Sequence, residues 1–194
     1  NNEIVTRAAV IADELDRSRN DINFLFSMPP VQGIVRATNN EGIDPLDGTR
    51  IEQWKAQLQT IFVAFLETHP HIQQIRYIGI DDEGLELVRA ERRSGNIQIV
   101  PEALLQEKSG NNYFTDIVRL KPRQVYISDI NLNREFGDLE YPYWPTYRVS
   151  TPVFFHDTEI FGFVIININA ESLFAKFTAN VSQNMQLYLL DSDE

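Results

Sequence analysis

Arg134, Glu135, Asp138, Glu140 and Arg148 fall within one short stretch, NLNREFGDLEYPYWPTYR, at residues 131–148. Three carboxylates between two guanidinium groups could serve as an acid–base pair, as the rim of a binding pocket, or as a solvated loop. Glycoside hydrolysis would require two carboxylates flanking a cleft at a set separation, one of them with a raised pKa. These carboxylates lie among Gly and Pro, where charges are usually solvated, and no neighbour marks one as desolvated. Catalysis is therefore not expected of them.

Arg148 is the sharper group. It sits inside TYRVSTPVF, flanked by residues of strand type. It points to solvent, pairs with a carboxylate such as Glu135 or Asp129, or binds an anion. The guanidinium fork suits the last two, because it meets carboxylate oxygens bidentately. Asn167 raises a related question. Strand alternation in IFGFVIININ places Phe161, Phe163, Ile165, Asn167 and Asn169 on one row and Val164, Ile166 and Ile168 on the other. A buried amide left unpaired costs about 1–3 kcal/mol, so Asn167 needs either a ligand or a hydrogen bond to a neighbouring strand or loop. Tyr113 and Tyr126 could add hydroxyl donors to an apolar pocket wall, or be plain core. Asn131 and Asn133 follow a strand and read as cap or turn residues. Trp144, between Tyr143 and Pro145, reads as a lid packed on the domain or as a stacking partner for a ligand.

Other chemistries find no support. His69 and His71 are two apart, which fits neither one helical face nor the usual zinc patterns, and His156 falls in a turn. Ser128 and Ser150 lack a GxSxG context, and no Gly-rich phosphate loop is present. There is no cysteine, so disulfides, zinc–thiolate sites and thiol nucleophiles are excluded. No cofactor or metal is expected. The net charge is −11, and only four of the 17 basic residues are Lys, without clustering. That argues against nucleic acid as a partner.

The elements that must position these groups are legible in outline. At 194 residues, 43% hydrophobic and 23% charged, the chain fits one folded domain with appendages. Ile4, Ala8, Ile11, Leu15, Ser18, Ile22 and Leu25 alternate steps of four and three, an apolar stripe along a helix over 3–26 that could also pair with a second copy. Pro29-Pro30 interrupt it or mark a bend. A second helix is expected from about 50 to 67, with Thr49 and Glu52 as a capping box, after the turn-rich connection TNNEGIDPLDG. From residue 72 the period becomes that of strands: IQQIRYIGID and LELVRAERR as a hairpin, then QVYISDI, TYRVSTPVFF and EIFGFVIINI. PEALLQEK reads as a short helix, GNNYFTDIVRL as a helix–loop segment and AESLFAKFTANVSQ as a closing helix. LYLLDSDE reads as the first strand of something further. The class expected is α+β with one five-stranded antiparallel sheet. No run of 18 apolar residues could cross a membrane, and a chain opening NNEIV reads as a piece of a longer protein.

Taken in order, QIRYIGIDDEGLELVR, LLQEKSGNNYFTDI, VYISDINLNREFG, PTYRVSTPVF and GFVIININAESLF resemble the extracytoplasmic Cache sensor domains (PAS-like, also called PDC) of bacterial transmembrane receptors. The resemblance covers nearly the whole chain. It implies a PAS-like sheet with the long helix on one face and a ligand on the other, under a roof built by the segments before the third strand. It also implies a periplasmic domain of an inner-membrane signalling protein, preceding a histidine kinase, diguanylate cyclase or chemoreceptor output. In amino-acid-binding members the roof carries an Arg shortly before a Trp-Tyr pair, and an Asp lies on the last strand. Here SGNNYF gives Tyr113-Phe114 without the Arg, and Asn167 stands where the Asp would be. Both departures remove charges that hold an amino acid, so a different small polar or anionic metabolite is the expected ligand.

The expectation is thus one domain over 1–194: helices in 1–70, sheet and roof in 71–170, and a closing helix with the start of a following segment in 171–194. Arg148 is the expected charge anchor, with Tyr113, Tyr126, Asn167, Asp129, Asn133 and Trp144 around the ligand. A homodimer through the N-terminal helix is the expected assembly. The alternative is a module that recognises a partner protein through the aromatic loop 141–147. Burial of Tyr143 and Trp144 would speak for the sensor and exposure for the partner.

Overall fold

The alternating apolar spacing at the N terminus forms helix α1, Asn2–Phe26, in a computed structural model that describes residues 2–135, 137–156 and 158–179. Its C-terminal half follows the expected stripe, with Ser18, Ile22 and Leu25 buried. Its N-terminal half is rotated from it. Ile4 and Ala8 are exposed, while Arg7 and Glu14 are buried. The reason lies in what each half touches. The later turns pack on the sheet, and the earlier ones meet helix α5, Glu171–Thr178. There Lys176 Nζ donates to Glu14 Oε2 at 3.0 Å, and Arg7 donates to the carbonyls of Phe177 and Ala179. A cation on the last carbonyls of a helix is a favourable end for its dipole.

Pro29-Pro30 do more than bend the chain: they open a further helix, α2, Pro29–Thr38, which the sequence reading passed over. Proline at the first helical positions loses no hydrogen bond, because those N–H groups have no partner in the helix. The connection that follows is locked by Asp44. This fully buried carboxylate accepts from Arg36 Nε (2.9 Å) and NH2 (2.7 Å), from Trp54 Nε1 (3.1 Å) and from the amide of Leu46 (3.0 Å). Its hydrogen bonds to Arg36, more than any other influence, hold its carboxyl below the usual carboxylate range. Helix α3, Ile51–Thr68, begins one residue later than the Thr49–Glu52 pattern suggests, with Gln53 Oε1 accepting from the amide of Arg50 at 3.0 Å.

Among the described residues, seven antiparallel strands form the main sheet, where five were expected. They are β1 (Ile72–Gly79), β2 (Glu86–Arg93), β3 (Asn96–Ile99), β4 (Tyr126–Ile127), β5 (Asn131–Leu132), β8 (Pro145–Phe155) and β9 (Glu159–Asn169). The order is β3-β2-β1-β9-β8-β4, with β5 also pairing β8. The two additional strands are short edge pieces, too brief for alternation to reveal. β6 (Arg134–Glu135) and β7 (Asp138–Leu139) form a separate small hairpin. The expected helix in PEALLQEK is reduced to one 3-10 turn, Glu102–Leu104, because the chain must then run extended to bridge Glu107 to Leu85. Helix α4, Asn112–Ile117, lies over the sheet as the expected roof. The LYLLDSDE segment lies outside the described residues.

The sheet's two faces differ in kind. Ile75, Tyr77, Val88, Ala90, Val149, Val164, Ile166 and Ile168 pack with Ile22, Leu25, Ile34, Leu58 and Phe62 of the three helices into the main core. The opposite face carries a smaller cluster, in which Ile78, Phe163 and Ile165 receive Tyr113 and Ile117 of α4. Gly84, with φ +75°, lets the β1–β2 turn pass under Phe114 of α4; a Cβ there would stand 2.5 Å from the ring. Gly162, in the middle of the sheet, faces Gly79 across β1 and β9, and a Cβ on it would collide with the carbonyl oxygen of Ile78. Backbone cannot yield as a flexible side chain does. Gly162→Ala should therefore destabilise the domain by about 1–3 kcal/mol, a fall in Tm of about 2–12 °C for a domain of this size, read by circular dichroism on heating.

Candidate functional site

β1, β9 and β8 are neighbours, and their register aligns polar side chains across the open face. Gln74 faces Asn167 across β1 and β9, and Asn167 faces Arg148 across β9 and β8. One residue pair along, Arg76 stands opposite Arg89 of β2 and Ile165 of β9. All of these polar groups are buried: Asn167 is 1% exposed, Gln74 and Arg76 3%, and Arg148 7%. Arg76, Asn167 and Arg148 form the floor of a cavity of about 750 Å3, walled by Tyr113 and Asn111 of the roof and by Tyr126, Ser128, Asn131 and Asn133 along the edge of β8, while Gln74 supports Asn167 from β1.

The floor is a connected hydrogen-bond network. Arg76 NH2 donates to Asn167 Oδ1 at 2.6 Å, and Arg76 NH1 reaches the Tyr113 hydroxyl at 3.4 Å. Asn167 Nδ2 donates to Gln74 Oε1 (3.0 Å) and Asn133 Oδ1 (3.1 Å). Arg148 NH1 donates to Asn131 Oδ1 at 2.9 Å, and its NH2 reaches Asn133 Oδ1 at 3.4 Å. Both guanidinium carbons approach the ring of Tyr113, at 5.9 Å for Arg76 and 5.4 Å for Arg148, within cation–π range. Beneath Arg76 the fully buried Glu86 faces three cations: Arg89 at 3.4 Å, Arg76 at 3.6 Å and Lys108 at 3.7 Å. Asp116 and Asp129 stand at the exposed rim. With burial as the larger cause, they push the Tyr126 hydroxyl above its ordinary pKa, so it stays a neutral donor at pH 7.

Six of the seven sequence-chosen residues meet in this cavity: Arg148, Tyr113, Tyr126, Asn167, Asp129 and Asn133. Trp144 does not. Half-buried, it donates Nε1 to Glu140 Oε2 at 3.1 Å and lines a neighbouring cavity of about 570 Å3 with Tyr141 and Tyr143. The reason is local: Glu140 Oε2 also accepts from Asn133 Nδ2 at 2.7 Å, which ties the loop back on itself and turns the indole away. Asn133, read as a turn residue, is 2% exposed and bridges Arg148, Asn167 and Glu140. Glu135, considered as a partner of Arg148, has its side chain outside the described residues. Arg76, Gln74 and Lys108 were missed. The signal for the first two was in QQIRYIG, where Gln74 and Arg76 alternate with the apolar Ile75 and Tyr77 and so share the opposite face. Among the described residues, no three His, Cys, Asp or Glu side chains are grouped to hold a metal, and no helix is long and apolar enough to cross a membrane.

The description "bacterial histidine kinase, sensor domain" fits residues 40–193 as a family model. The chain belongs to this family of sensor domains. No curated protein sequence matches it. Among solved structures it is similar to a domain of a sensory box/GGDEF family protein from Vibrio parahaemolyticus, with 20% identity and a TM-score of 0.68, covering 94% of this chain and 64% of that one. The extracellular domain of the histidine kinase vpHK1S-Z8 matches with 20% identity and a TM-score of 0.68, covering 91% and 59%. The ligand-binding domain of the Campylobacter jejuni chemoreceptor Tlp3, in complex with 4-methylisoleucine, matches with 9% identity and a TM-score of 0.63, covering 93% and 61%. The chain spans less than two thirds of each of these structures. The sensor domain is thus a non-catalytic module with the fold of the extracellular and periplasmic sensory domains of bacterial receptors.

The buried charges of the sensor domain's floor make a stability prediction. Removing one member of a buried ionic group leaves its partners desolvated, at a cost of about 3–5 kcal/mol. Glu86→Gln should lower Tm by about 6–20 °C in a thermal melt, well beyond the effect expected of an exposed carboxylate such as Asp116.

Proposed function

We propose that this sensor domain binds a small anionic metabolite in the pocket over β1, β9 and β8, and that occupancy biases a membrane-anchored signalling protein. The observation that carries this is the pair of buried guanidinium groups, Arg76 and Arg148, lining one cavity beside Tyr113. Guanidinium groups bind carboxylate and phosphate oxygens with charge-assisted hydrogen bonds, and their strength rises where water is excluded. Tyr113, Tyr126 and the amide of Asn167 orient the ligand. Asp129 at the rim screens the entrance.

Ligand binding then acts on the roof. α4 is seated by a small apolar cluster, so a ligand under it selects one roof position over others. The bias reaches the rest of the receptor only to the extent that the ligand binds the two states differently. α1 and α5, tied by Glu14–Lys176 and Arg7, are the elements that carry it toward the membrane.

A thermal-shift panel of carboxylates, phosphates, amines, amino acids and nucleobases tests the reading. A ligand at 100 times its dissociation constant adds about 2.7 kcal/mol, a rise of about 5–11 °C for a domain of this size. The shift should be confined to anions and be lost in Arg148→Ala; an equal shift in that variant removes Arg148 from the anchor role.

α1 supports a second expectation. Its outer side exposes Ile4 (65%) and Val5 (68%) beside Ala8, Ala9 and Ala12, an apolar strip suited to a second copy of the same helix. Sedimentation equilibrium at rising concentration should show weak dimers, and Ile4→Glu with Val5→Glu should abolish them.

A different reading attaches to the aromatic loop. Tyr141 is 83% and Tyr143 59% exposed, with their rings edge to face at 5.7 Å. Exposed tyrosines of this kind suit contact with a partner protein, and that surface is compatible with a pocket that also senses a metabolite.

A further inference from the structure

Arg76 is 3% exposed, yet its guanidinium lines the pocket. The carboxylate facing it, Glu86, is 3.6 Å away and also faces Arg89 and Lys108. The two other contacts of Arg76 are neutral, the Asn167 amide oxygen and the Tyr113 hydroxyl. Its Nε has no hydrogen-bond partner among the described residues. A guanidinium buried this deeply ordinarily holds a carboxylate in a bidentate fork. Arg76 instead makes one short bond to an amide.

Arg148 shares the same tyrosine contact. Since the two guanidinium carbons stand 5.9 and 5.4 Å from the Tyr113 ring centre, at most about 11 Å separates them. They are joined by a relay of amides, Arg76 to Asn167, Asn167 to Asn133, and Arg148 to Asn133. The side-chain amide oxygens of Asn131, Asn133 and Asn167 all accept from these neighbours. A ligand ammonium at the floor would therefore compete with guanidinium for every one of them. The carboxylates Asp116 and Asp129, which could receive an ammonium, are exposed at the rim. One carboxylate can engage one guanidinium as a fork; two guanidinium groups lining one cavity suit an acid with two.

We propose that the ligand class of this pocket is a small aliphatic dicarboxylate, with one carboxylate on Arg76 and the other on Arg148. Tyr113 donates its hydroxyl to the end at Arg76, and the aliphatic segment lies against its ring. This rests on the reading of the pocket as an anion sensor and makes Arg76, rather than Arg148 alone, a determinant of specificity.

Isothermal titration calorimetry on the sensor domain, at fixed pH and low ionic strength, tests it with succinate and glutarate against butyrate, 4-aminobutyrate and L-valine. At least one dicarboxylate should bind tenfold or more tighter than butyrate and than either zwitterion. Arg76→Gln and Arg148→Gln should each reduce that affinity at least tenfold and bring it to the level of butyrate. Should Arg76→Gln fail to fold, Arg76→Lys retains the charge without the fork and should still lose affinity for the dicarboxylate. Equal binding of butyrate and the dicarboxylates, or unchanged dicarboxylate affinity in the Arg76 variant, overturns the two-ended mode and leaves a one-ended anion pocket standing. Tighter binding of L-valine or 4-aminobutyrate overturns the ligand class. No binding of either dicarboxylate also overturns it, and the wider thermal panel then decides separately whether the pocket senses an anion at all.

Discussion

The 2.6 Å bond from Arg76 to the side chain of Asn167 is the contact around which the open face of the sheet is arranged. A guanidinium and an amide in the middle of a sheet cannot be left without partners in the dry state. Their demands recruit Gln74 on the same face, Asn133 from the loop beyond β5, the Tyr113 hydroxyl from the roof and Glu86 from β2. Each of those groups is fixed in turn by a backbone that had to come within hydrogen-bond reach. Roof, loop and sheet are thereby held in one geometry by polar satisfaction, and the apolar contacts under α4 add to it without needing to specify it.

The two faces of the sheet divide the work. The helix face is a largely apolar core that also takes in Tyr77; its hydroxyl, donating to the carbonyl of Val31 at 3.2 Å, is held un-ionised by complete burial. That face gives the domain its rigidity. The open face trades apolar area for charge and amide groups, which lowers its contribution to stability. The domain thus joins an apolar platform to a polar, hydrogen-bonded face.

α1 packs on this platform in two different ways. Its inner side changes character along its length, apolar against the sheet and ionic against α5. Near the join, Ser18 meets the Tyr147 hydroxyl at 3.1 Å, and burial pushes that hydroxyl's pKa up to about 12.

Much of this was determined by the sequence alone. The four-and-three spacing in residues 4–25 dictates a helix, and the switch to alternation after residue 72 dictates strands, because each periodicity has one backbone that puts its apolar residues on a common face. The placement of Arg148 and Asn167 among strand residues followed from the same logic, that of Tyr113 in the roof from the resemblance to sensor domains, and six of the seven chosen residues do share a cavity. Other features could be decided only in three dimensions. The rotation of the first turns of α1 depends on α5, about 160 residues away in the chain. The departure of Trp144 depends on a carboxylate that serves two donors at once. The importance of Arg76 depends on register: its side chain's direction is readable from alternation, but which groups oppose it on β2 and β9 is set by pairing between strands distant in sequence. Local pattern fixes which way a side chain points. Only tertiary pairing fixes what it meets there.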